Sequence, residues 1–153
     1  EALAFIPAPH TLVEMDRAPF MHLWGTQSLV MLGARAYLRL GKDEEAEATA
    51  RGGLAEAKKV TTRVECHRIL GIVAARRGDL KQAEASFVAG MEEARHTGLH
   101  LLELLCARGI KQLVVEKSQR QADEVDGVIA AAAARMNKTT ADFGELLAKR
   151  RGW

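Results

Sequence analysis

Apolar and small residues recur three and four positions apart along two stretches of the chain, and each stretch stops at a glycine. The first runs Val30-Met31-Leu32-Gly33-Ala34-Arg35-Ala36-Tyr37-Leu38-Arg39-Leu40 and meets Gly41; the second runs Cys66-His67-Arg68-Ile69-Leu70-Gly71-Ile72-Val73-Ala74-Ala75-Arg76-Arg77 and meets Gly78. This spacing predicts an amphipathic helix in each, and glycine adopts at little cost the positive φ that ends one. Asp43 and Asp79, just beyond the two glycines, stand where a carboxylate can cap a following helix. The predicted unit is helix, tight turn, helix.

The unit occurs twice. Laid over each other at an offset of 37, Gly41–Ala57 and Gly78–Ala94 agree at seven of seventeen positions: Gly41/Gly78, Ala46/Ala83, Glu47/Glu84, Ala48/Ala85, Gly53/Gly90, Glu56/Glu93 and Ala57/Ala94. Thr49/Ser86, Leu54/Met91 and Lys58/Arg95 match in character. The shared residues are mostly small, as close contact between helices requires, and Gly52-Gly53 falls inside a predicted helix for the same reason. A period of this length is too long for a heptad and suits a stack of helical hairpins.

A third unit is less regular. Residues 100–115 read as a first helix with Leu101, Leu102, Leu105 and Leu113 as core candidates. Residues 118–136 read as a second, opened by the capping-box pattern Ser118-x-x-Gln121, with Lys117 and Ser118 in place of the turn glycine. Thr139-x-x-Asp142, followed by Phe143, Leu146 and Leu147, predicts a last helix that covers the open end before Lys149-Arg150-Arg151. At the other end, Pro7 and Pro9 favour an extended start, and Thr11-x-x-Glu14 begins a short helix broken by Pro19. Phe20, Met21, Leu23 and Trp24 then form an apolar cluster, read either as the remnant of a preceding unit or as an exposed patch for a partner.

Leu70-Gly71, Ala74, Gly78-Asp79, Ala83, Phe87 and Gly90 resemble the spaced small and large signature of a tetratricopeptide repeat (TPR). Tyr37, Gly41, Ala46, Ala50 and Gly53 follow it less fully. The longer period is similar to that of the helical repeats that follow the ATPase or cyclase modules of large signalling proteins. The resemblance spans about residues 27–136 and implies an all-α fold, an α-solenoid of about three antiparallel helical hairpins with a C-terminal capping helix. The expected organisation is an irregular N-terminal segment or repeat remnant over 1–25, TPR-like repeats over 26–137, and a capping helix with a basic tail over 138–153.

Composition agrees with helices and narrows function. The chain is 48% hydrophobic, 27% charged and only 5% aromatic, which favours closely packed helices over a sandwich. A net charge of +2 gives no general pull toward nucleic acid. No apolar run approaches the roughly 20 residues of a membrane span. Cys66 and Cys106 read as reduced core residues, and with them a cytoplasmic or other reducing intracellular compartment; the start at Glu1 leaves room for a processed form or a removed leader.

Chemistry is sparse. Cys66 and His67 are adjacent and diverge by about 100° on a helix, His96 and His100 lack acidic or thiol company, and no metal site or cofactor is expected. There is no phosphate-cradling loop and no nucleophile elbow, and Glu44-Glu45 and Glu92-Glu93 read as solvated faces; the chain is expected not to be an enzyme. The arginines carry more. In the family it resembles, the first helix of each unit lines a concave surface, so Arg35, Arg39, Arg68 and Arg76 would approach one groove. There they could hold carboxylates of a partner, or else pair with neighbouring glutamates. Met31 and Ile72 stand where the family's chaperone-tail-binding members need polar residues, so that ligand is not implied. The expected function is a non-catalytic scaffold for a protein or peptide partner, acidic if these arginines meet it, with Trp24 as a further contact. The alternative is a structural or regulatory segment of a larger protein or assembly with no groove ligand.

Overall fold

The computed structural model describes residues 7–17, 29–114 and 119–136. All regular structure among them is α-helical: α1 Pro9–Arg17, α2 Leu29–Arg39, α3 Asp43–Glu56, α4 Val60–Arg76, α5 Leu80–His96, α6 His100–Val114 and α7 Gln119–Arg135. The helix–turn–helix units predicted around Gly41 and Gly78 are α2–α3 and α4–α5. The stretches around Phe20–Trp24, Lys117-Ser118 and Thr139–Arg151 lie outside the described residues.

The turns form as the glycines predict. Gly41 and Gly78 have φ of 70° and 80°, and Gly98, between α5 and α6, has 71°. At each, the same pair of bonds folds the chain back. Lys42 N donates to Tyr37 O and Gly41 N to Leu38 O; Asp79 N donates to Ala74 O and Gly78 N to Ala75 O; Leu99 N donates to Ala94 O and Gly98 N to Arg95 O. This is the Schellman arrangement, which satisfies the last carbonyls of a helix through a left-handed residue.

The two predicted caps behave differently. Asp79 caps α5, its carboxylate accepting from Gln82 N at 3.0 Å. Asp43 does not cap α3: the N-cap is Lys42, which offers no side-chain bond, and Asp43 is already helical. Its carboxylate turns to Arg76 instead, while Asp43, Glu44 and Glu45 together place negative charge in the first turn, where the helix dipole favours it. The short N-terminal helix also starts earlier than Thr11. It begins at Pro9, whose fixed φ and missing N–H suit the first helical position.

Each helix packs on the next, and α4 also packs directly on α2 and on α6. α1 packs on both α2 and α3. Leu12 of α1 lies against Gly33, and Tyr37 Oη donates to Pro7 O at 2.5 Å. The core follows the helices rather than gathering at one centre. Ala46, Ala50 and Ala83, shared between the repeat copies or part of the family-like pattern, are fully buried, and Gly53 and Gly90 are buried beside them. A Cβ at Gly53 would stand 2.5 Å from Val30 Cγ1 and 2.8 Å from Cys66 Sγ, so α3 needs glycine there to approach both α2 and α4. Ala48 and Ala85, also identical between the copies, are exposed.

The inward face of α6 differs from the expectation. Leu101 is 44% exposed, while Glu103, Leu104, Cys106, Ala107 and Ile110 are buried. Leucines at 101, 102, 104 and 105 span about 160° of the helix circumference, so their spacing alone does not fix the centre of the inward face. The side that continues into Ala107 and Ile110 is the one that turns inward. Leu102 and Leu105 are half-buried.

Candidate functional site: the arginine-bearing helices

α2, α4 and α6 neighbour one another directly, and the four arginines singled out in the sequence lie on the first two. The structure brings Arg35 and Arg68 together on one carboxylate. Glu65 of α4 is completely buried. Arg68, one turn further along, grips it with two bonds, Nε to Oε2 at 3.0 Å and Nη2 to Oε1 at 2.6 Å. Arg35 crosses from α2 and donates Nε to Oε1 at 2.5 Å. Burial by itself would raise the Glu65 pKa, but the guanidiniums of Arg68 and then Arg35 outweigh it and hold the carboxyl below the ordinary value.

Arg76 is placed at the other end of α4. Its Nη1 donates to Asp43 Oδ1 at 2.6 Å and to Leu38 O at 3.1 Å, so it ties α4 both to the end of α2 and to the start of α3. Leu38 O belongs to the last turn of α2, the turn that carries Arg39, which is exposed. Arg77 adds an ion pair to Glu47, which Arg51 also engages, and hydrogen bonds from Arg51 first and then Arg77 lower the Glu47 pKa. Trp24 lies outside the described residues.

Two members of this arrangement were not singled out in the sequence, Glu65 and its counterpart Glu103. They are 38 residues apart, close to the repeat interval, and each sits early in a first helix. Glu103 of α6 is 1% exposed and accepts from Arg95 of α5 at 2.9 Å and from Arg135 of α7 at 3.1 Å. His100 Nδ1 is 3.5 Å from Glu103 Oε2, the oxygen that Arg135 also holds, but makes no hydrogen bond. A glutamate recurring at nearly the repeat spacing amid small and apolar neighbours was the available signal. In both clusters one carboxylate draws in two guanidiniums from different helices, so the arginines join successive hairpins to one another.

The rest of the chemistry is quiet. Cys66 and Cys106 are buried free thiols, and burial pushes the Cys106 pKa up to about 12. Burial also lowers the His67 pKa. Among the described residues no three His, Cys, Asp or Glu side chains gather as metal ligands, and no helix is long and apolar enough to cross a membrane. No protein-family model, curated protein or solved structure matches the chain.

Proposed function

We propose that the chain is a non-catalytic scaffold of the TPR kind, its hairpins stacked as a short solenoid, that receives a partner protein segment along α2, α4 and α6. The observation that carries this reading is the direct packing of α4 on both α2 and α6, which makes the first helices of successive units neighbours. A chain segment laid across them would meet three helices at once, and Arg39 and Arg76 keep exposed guanidinium surface on two of them. That surface supports a partner with acidic side chains. Arg35 and Arg68 support the stack itself, because both close on Glu65.

Photo-crosslinkers at positions 39 and 76, with controls at the exposed positions 48 and 85 of α3 and α5, test the reading in the native source. The expected result is one protein captured from the first pair and absent from the second, its capture lost in Arg39→Glu/Arg76→Glu. Equal labelling from both pairs overturns the groove.

The internal pairing of Arg35, Arg68 and Arg76 also favours a second reading, a structural segment of a larger protein or assembly with no groove ligand. Under it, Trp24→Asp abolishes assembly and the groove variants are silent. The two buried free thiols support a reducing compartment for either role.

A further inference from the structure

Glu65, Glu47 and Glu103 each hold two guanidiniums, and they differ in what is left open. At Glu65 both the carboxylate and Arg68 are buried and Arg35 is only 27% exposed, so that cluster is closed over. Glu47 is itself open to water, which screens its pairs with Arg51 and Arg77. At Glu103 the carboxylate is buried, while the side chains of Arg95 and Arg135 are 41% and 46% exposed. The anion lies inside and its cations face outward.

These two cations come from helices that do not pack on each other. Arg95 is in the last turn of α5 and Arg135 ends α7, and both reach the same oxygen near the start of α6, Arg95 Nε at 2.9 Å and Arg135 Nη1 at 3.5 Å. Arg135 Nη1 also holds the second oxygen, at 3.1 Å. These bonds occupy one nitrogen of each guanidinium, and among the described residues nothing bonds the others. One carboxylate offsets only one of the two charges, so a positive charge is left over. His100, the first residue of α6, adds a third polar group. Its Nδ1 is shut in beside Glu103 Oε2 without a hydrogen bond, which is true of no other buried side-chain nitrogen or oxygen among the described residues, while the ring as a whole is partly open.

We propose that Arg95, Arg135 and His100 form a binding site for a phosphate group, either free or as a monoester. Glu103 is its positioning residue: it fixes one edge of each guanidinium from beneath and leaves the remaining N–H groups close together at the surface. A phosphate dianion suits this arrangement better than a carboxylate. Its tetrahedral oxygens can meet two guanidiniums and an imidazole at once, whereas a planar carboxylate is filled by a single fork. It also offsets the charge that Glu103 leaves over, and it joins α5, α6 and α7 beside the Gly98 turn. Arg76 lies by the Gly78 turn, at the other end of α5, so the phosphate site does not depend on an acidic partner along α2, α4 and α6.

Titration of the intact chain with inorganic phosphate, at constant pH and ionic strength, tests it through the NMR signals of the Arg95 and Arg135 Nε–H groups and the His100 ring. These signals are expected to shift along one saturating curve, and acetate should leave them in place. Arg95→Lys and Arg135→Lys keep a cation on Glu103 but lose the fork. Each should weaken phosphate binding at least about tenfold, the loss of a charge-assisted hydrogen bond, while Arg51→Lys in the open Glu47 cluster should not. His100→Gln leaves both arginines on Glu103 and should weaken binding about threefold, which keeps the test decisive where a lysine variant fails to fold. O-phosphoserine binding more tightly than inorganic phosphate assigns the site to a monoester, and the reverse order assigns it to free phosphate. Shifts that never saturate, that acetate reproduces, or that persist unchanged in His100→Gln and the folded lysine variants overturn the proposal.

Discussion

Phe87 on α5 fills the space that a side chain at Gly109 on α6 would need. A Cβ at Gly109 would stand 2.5 Å from Phe87 Cε1 and 2.6 Å from Cζ. The same ring lies against Gly71 of α4, where a Cβ would be 2.9 Å away. One aromatic side chain therefore sets how closely α5 approaches two helices, and each helix meets it with a glycine. Gly109→Ala should overpack this contact and cost about 1–3 kcal/mol. In a Phe87→Leu background the same change should cost clearly less, which a urea-denaturation double-mutant cycle reads directly. Strict additivity would show that the two residues do not meet.

The buried carboxylate on α4 makes a sharper demand. Glu65→Gln leaves Arg68 buried beside an uncharged amide, and removing one partner of a buried pair typically costs about 3–5 kcal/mol. Because the folded pKa of Glu65 is depressed, the folded state binds fewer protons than the unfolded chain in mild acid. The stabilisation from Glu65 is then fully present above the unfolded value near 4.5, and is lost as the pH falls from there through the folded pKa. Equilibrium unfolding of the parent should weaken over that acidic window, and Glu65→Gln should flatten its share of the slope. An identical slope in both proteins would contradict the assignment.

Asp79 and Asp43 lie one residue out of register in the repeat, Asp79 matching the N-cap Lys42, and they do different work. Asp79→Ala removes the cap on Gln82 N and should cost about 1 kcal/mol. Asp43→Ala removes no cap; it breaks a partly exposed pair with Arg76, for which less than about 1 kcal/mol is usual, and leaves Glu44 and Glu45 to face the helix dipole. Chemical denaturation of the two variants side by side decides the matter, and an Asp43 variant that proved the costlier would reverse it.

Why these two aspartates diverge shows how far the sequence alone could be read. The glycine turns were legible because positive φ is a local requirement, and Gly41 and Gly78 meet it without help from the rest of the fold. Buried Ala46, Ala83, Gly53 and Gly90 were legible because small residues at a fixed interval mark close contact. The partner of a charged side chain is not local information. Asp43 faces Arg76 across 33 positions and Arg35 faces Glu65 across 30, so the sequence offered Arg35 and Arg76 as groove candidates without revealing what each already holds. The inward face of α6 was ambiguous for a different reason. Four leucines in five positions spread over nearly half of the circumference, and the contacts with α5 and α7 decide which part of that arc turns inward.

Ala83 tests the register on which the hairpin depends. It is fully buried in a cluster with Ala74, Phe87 and Ile110. Ala83→Leu adds three carbon atoms where α4, α5 and α6 meet, and should cost about 1–3 kcal/mol in thermal or urea unfolding. Ala85→Leu, on an exposed position of the same helix, should be nearly neutral and serves as the control. Equal effects at the two positions would mean that the face of α5 is misassigned.

The thiol of Cys106 reports on opening at the junction of α5 and α6. It is fully buried, and with its pKa pushed up to about 12 its reactive thiolate is scarce at neutral pH. Burial thus leaves little thiolate at pH 8 while the helices stay packed, so alkylation must wait for the site to open. Labelling of the Cys106 peptide, followed by mass spectrometry, should therefore accelerate with urea and lag far behind a small free thiol in its absence. Gly90→Ala provides the link to packing, because its Cβ would press on Cys106 Sγ and His67 Cβ at 3.1 Å and on Val64 O at 3.4 Å. The Val64 oxygen is at ordinary contact distance, but His67 Cβ is fixed to the backbone of α4, so α5 and α4 must part by a few tenths of an ångström. Cys106 should then label faster in that variant at every urea concentration below the transition. Unchanged labelling would place the contact between Gly90 and Cys106 outside the forces that hold the two helices together.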